Sequence, residues 1–134
     1  MGYFGLYFAA ETDVAKLVAA VVEVSGIDPE LIYVGPPDGL GPHPGPDPHV
    51  VVFVRDEPGF SIEFGAGKSF PERVGGIPQT ELAARLCRAA DTRALTDGGS
   101  DVLGEWLLVT PTGSATVTVD DDAIDEGRLL IADR

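Results

Sequence analysis

The chain has almost no sulfur and little positive charge. Cys87 is its one cysteine, so no disulfide can form within it, which suits a reducing cytoplasm. Lys16 and Lys68 are its only lysines, and 9 basic residues face 22 acidic ones in 134, a net charge of −13. Such a surface repels nucleic acid and anionic membranes and attracts cationic partners. His43 and His49 are the only histidines, which confines imidazole chemistry to one loop. The apolar start, Met1 to Ala10, is too short to span a bilayer. It lacks a basic lead and runs straight into Glu11 and Asp13, unlike a signal peptide. These absences predict a cytoplasmic protein that engages neither nucleic acid nor membrane. The preference for Arg over Lys, with abundant Ala, Val, Gly and Asp, points to a GC-rich, actinobacterial source.

What is present is an ordinary globular mix, 44% hydrophobic and 23% charged, expected to form a single domain over 1–134. Residues 3–9 predict a first strand, edge or central. Glu11-Thr12-Asp13 supplies capping chemistry. Val14, Leu17, Val18, Val21 and Val22 then recur at helical spacing, with Gly26 placed for a left-handed cap. A strand over 17–24 is the competing assignment, because valine is a poor helix former. Leu31-Ile32-Tyr33-Val34 reads as a strand and residues 35–48 as a Pro/Gly loop. His49 to Arg55 reads as a strand buried on both faces. It is expected to form a hairpin with the alternating Phe60-Ser61-Ile62-Glu63-Phe64. Residues 65–77 look irregular. Pro78 opens a second helix with Leu82, Ala83, Leu86 and Ala90 as its stripe. Ala94-Leu95-Thr96 reads as a short strand. Trp106-Leu107-Leu108-Val109 and Thr116-Val117-Thr118-Val119 form a hairpin, and Leu129-Leu130-Ile131 a last strand. The fold class is α+β, a mostly antiparallel sheet with two helices. The halves, about 11–65 and 78–120, lay out as two αβββ units sharing one sheet with helices on one face; coincidence of a common element order is the alternative.

Few motifs carry chemistry. Gly65-Ala66-Gly67-Lys68-Ser69 has the tail of a phosphate loop, but Ile62 stands where its first glycine belongs, and Pro71 spoils the following helix. His43, Asp47 and His49 lie among prolines, with no residue that can be argued to orient the imidazoles, so no metal is assigned. Cys87 sits beside the second helix's apolar stripe and reads as a small hydrophobe. Trp106 reads as core. Between Arg93 and Arg128 there is no basic residue, while Asp97, Asp101, Glu105, Asp120, Asp121, Asp122, Asp125 and Glu126 are all acidic. The spacing lacks the pattern of a calcium loop. A solvated turn and a partner-facing surface are the two readings of this run.

The second half, with its helix ending Ala89-Ala90-Asp91, then Ala94-Leu95-Thr96-Asp97-Gly98-Gly99-Ser100 and Glu105-Trp106-Leu107-Leu108-Val109-Thr110-Pro111-Thr112-Gly113, resembles small acidic immunity proteins of bacterial polymorphic or contact-dependent toxin systems. That resemblance implies a non-enzymatic protein without cofactor that blocks a basic toxin, such as a nuclease. The eight acidic residues are the expected contacts. Two alternatives stand beside it. One is a small-molecule or metal-binding domain or enzyme using His43, His49 and Lys68 between the proline loop and the GAGKS turn. The other is a homo-oligomeric scaffold paired through the aromatic first strand.

Overall fold

The computed structural model of the chain describes residues 5–36, 50–55, 59–66, 70–96, 105–119 and 131. It is an α+β fold in two layers. Seven strands form one sheet: β1 (Gly5–Phe8), β2 (Ile32–Gly35), β3 (Val50–Val54), β4 (Ile62–Ala66), β5 (Ala94–Thr96), β6 (Glu105–Thr110) and β7 (Gly113–Thr118). Their order is β2-β3-β4-β1-β5-β6-β7. All pairs are antiparallel except β2 with β3. Two helices, α1 (Val14–Ser25) and α3 (Gln79–Ala90), cover one face of the sheet, and a single turn, α2 (Phe70–Arg73), lies between them in sequence.

The valine-rich stretch is a helix because tertiary burial and caps outweigh its propensity. Leu17 and Val21 are fully buried against the sheet. Asp13 accepts from the Lys16 N–H at one end, and Gly26, at φ 68°, donates its N–H to the Val22 carbonyl at the other. In α3 the stripe Leu82, Ala83, Leu86, Ala90 is buried as its spacing predicts, and Cys87 joins it. Pro78 is the extended N-cap of α3 rather than its first helical residue. Asp91 closes the helix at φ 51°, the one non-glycine with positive φ among the described residues. Relieving that left-handed strain with Asp91→Gly is expected to raise stability by about 1 kcal/mol; a thermal midpoint that stays put or falls would refute it.

Three expectations need correcting. Over its described residues, 50–55, the predicted strand is not buried on both faces: only Val50 and Val52 are buried, on the helix side, and the residues between them face the opposite side. Residues 65–77 are not irregular throughout, since β4 runs to Ala66 and α2 follows. β1 is interior, with Tyr7 and Phe8 paired to β4 on one side and β5 on the other, so it presents no edge there for a second copy. Trp106 is half-buried and packs, on the face opposite α1 and α3, against a second, smaller core of Ala9, Phe60, Leu95 and Val119. The two αβββ units also differ in pairing, because β2 runs parallel to β3 while β5 runs antiparallel to β6. A parallel pair needs a crossover of a dozen or more residues, which the proline-rich stretch supplies. Among the described residues no helix is long and apolar enough to cross a membrane.

Candidate functional site

Strand direction decides where the chemistry-bearing stretches attach. The paired registers place Ile32, Val50, Ala66, Glu105 and Thr118 at one end of the sheet, called the upper end here. β5 also finishes at this end, at Thr96, which pairs with Leu107 two residues into β6. The stretch 97–104 is therefore held between Thr96 and Glu105 on adjacent strands. The stretch 120–130 is held between Val119 and Ile131, which form an antiparallel bridge. Adjacent strands lie about 4.8 Å apart, so β5 and β7 are separated by about 10 Å.

Of the eight acidic candidates, Glu105 is described: it opens β6, half-buried, opposite Thr118. Asp97, Asp101, Asp120, Asp121, Asp122, Asp125 and Glu126 lie outside the described residues, as do His43, His49 and Lys68. His49 immediately precedes Val50, and Lys68 is the second residue after Ala66; Val50 and Ala66 pair across β3 and β4. The anchors of both sets of candidates thus share the upper end. Among the described residues no group of three or more His, Cys, Asp or Glu could hold a metal ion.

The face of the sheet opposite α1 and α3 carries residues that sequence reasoning did not assign to a site. Tyr7 and Trp106, two strands apart, meet edge to face at 5.8 Å, and Leu95 of the strand between them is fully buried. On the other half Tyr33 and Phe53 meet edge to face at 6.1 Å. The Arg55 guanidinium lies 5.8 Å from the Phe53 ring centre and pairs with Glu63 at 3.0 Å. Arg93 is engaged in the same manner, 5.3 Å from the Phe60 ring centre and 3.6 Å from the Glu11 carboxylate. These two arginines are matched by carboxylates of the same chain. Strand alternation puts Tyr7, Trp106 and Phe53 on the face opposite α1 and α3, and no described helix lies on that face.

Two other features are structural. A hollow of about 530 Å³ lies between α1 and α3, over Ala20 and Leu86, with Glu23, Arg85 and Arg88 at its rim. Arg85 is paired with Glu81 at 2.7 Å. Cys87 is fully buried and its thiol contacts the Val109 carbonyl at 3.5 Å. Burial pushes that thiol up to about 12, with Arg88 opposing the shift only in part. It is therefore not a nucleophile in the folded protein.

Comparison with known proteins brings no relative: no protein-family model, no curated protein and no solved structure matches the chain.

Proposed function

We propose that this chain is a non-enzymatic binding protein that neutralises a basic partner protein, an immunity protein of a bacterial toxin system, acting from the cytoplasm. The observation that carries the reading is the shared anchorage. Both stretches that bear the acidic residues are tethered at the upper end of β5, β6 and β7. A chain of net charge −13 concentrates anionic field there and can occupy the substrate channel of a nuclease in place of phosphates. Charge complementarity of this kind accelerates encounter and selects against wrong partners.

The reading places the gene beside one for a large secreted protein with a variable C-terminal domain. Co-expression with that domain is expected to rescue growth. The quadruple substitution Asp97, Asp101, Asp120 and Asp121 to Asn is expected to weaken binding at least tenfold and to flatten its dependence on salt. Unchanged affinity and unchanged salt dependence would end the proposal, and so would a neighbourhood of metabolic genes.

One observation favours a second reading. The pairing of Val50 with Ala66 anchors His49 and Lys68 within three residues of one another's strand ends. A small anionic ligand or a metal held there would raise the melting temperature. A thermal-shift panel of zinc, calcium and nucleotides tests this; a flat panel rejects it.

A further inference from the structure

Among the described residues the sheet has two edges, β2 and β7, and they are built differently. β2 is four residues long, ends at Gly35 and is followed by Pro36, whose carbonyl accepts from the Tyr33 hydroxyl at 2.6 Å. A short strand stopped by proline is a protected edge. β7 is six residues long, GSATVT, with no charge, no proline and an unbroken register against β6. Every residue of it except Val117 is exposed. The strand itself has neither the charge nor the proline with which natural sheets blunt an edge.

The register also says which groups face outward. The loop of Pro111 and Thr112 joins the paired residues Thr110 and Gly113. A two-residue hairpin loop closes on a hydrogen-bonded pair, and hydrogen-bonded and non-hydrogen-bonded pairs then alternate. Ser114, Thr116 and Thr118 therefore turn their N–H and C=O groups away from β6. Their side chains lie on the helix side of the sheet, yet all three are exposed, so the helical layer does not extend over them. Just past this strip Val119 pairs with Ile131 of the same chain, which marks one end of the strip.

We infer that the outer edge of β7 takes up an extended segment of a cationic protein partner by strand addition. Main-chain hydrogen bonds from Ser114, Thr116 and Thr118 supply the affinity, and alternate side chains of the added strand supply specificity. The sign of the partner's charge rests on the proposed function. It is argued from the net charge of −13, which opposes the edge-to-edge approach of a second copy and favours a basic segment.

The test uses the full chain, isotope-labelled, at low salt. The probes are two synthetic ten-residue peptides alternating Thr and Val with Lys in one and with Glu in the other. The lysine peptide is expected to shift the backbone amides of Gly113–Thr118 and slow their hydrogen exchange. The glutamate peptide is expected to bind at least tenfold more weakly, as is a lysine peptide N-methylated at alternate residues. Thr116→Pro, which removes an outward donor without breaking a bond to β6, is expected to abolish the shifts; the N-methylated peptide keeps the test valid if that variant folds poorly. Shifts confined to other strands, or an edge equally responsive to the N-methylated peptide, would overturn strand addition while leaving the charge reading intact. Equal binding of both unmodified peptides at β7 would keep the edge and overturn the cationic partner. A wild-type dimer in sedimentation that Thr116→Pro converts to monomer would assign the edge to a second copy instead.

Discussion

Phe64→Ala is expected to remove about 3–5 kcal/mol of folding stability, the usual cost of deleting a buried aromatic ring and leaving a cavity behind. Phe64 is fully buried on β4, one strand from the sheet centre, between the cross-strand partners Val52 and Leu6. Its ring meets Phe70 of α2 edge to face at 5.7 Å, so the truncation unsupports two elements at once. A domain of this size has a total of about 5–15 kcal/mol. The variant therefore loses a large part of its margin, which a urea titration reads as a lowered midpoint with an unchanged slope. Val34 lies in the same cross-strand row but on edge strand β2, 44% exposed. Val34→Ala is expected to cost under about 0.5 kcal/mol, as at other surface positions. Equal losses for the two variants would mean that the core is not centred where the sheet places it.

Cys87 is expected to react with a thiol reagent about a thousandfold more slowly in the folded protein than in the unfolded chain at pH 8. Burial raises its thiol from 9.0 to about 12, and three decades in thiolate fraction give a factor of about a thousand before steric exclusion is counted. The same shift fixes the sign of its pH effect on stability. Below pH 9 the thiol is protonated in both states and contributes nothing pH-dependent. Between pH 9 and about 12 the unfolded chain releases its proton while the folded one holds it, so stability falls as pH rises. Cys87→Ala removes that slope, and the difference between the two proteins across this window is the measurement. Fast labelling of the native protein at pH 8 would refute the burial argument.

The helices were legible because their signals are local. The spacing of Leu17 and Val21, the cap at Asp13 and the left-handed Gly26 act within a few residues of one another, as do the stripe of α3 and the tight hairpin of β6 and β7. What escaped was set by partners distant in the chain. Nothing near Gly5–Phe8 says that the first strand goes to the middle of the sheet, because β4 and β5, which flank it, come from residues 62–66 and 94–96. Nothing near Trp106 says that it lies on the face opposite α1 and α3. The one-turn helix at Phe70–Arg73 was hidden by Pro71, which reads as a breaker but is tolerated in a first turn.

The amino-acid sequence by itself determined the charge, the amphipathic periods and the α+β class, since composition and short-range spacing are properties of the chain before it folds. Only the tertiary structure decided that both acid-bearing stretches depart from one end of the sheet and that β7 is the outermost of the described strands. Both depend on strand order and direction. Those are settled by which distant apolar surfaces bury each other, and no local pattern encodes that choice.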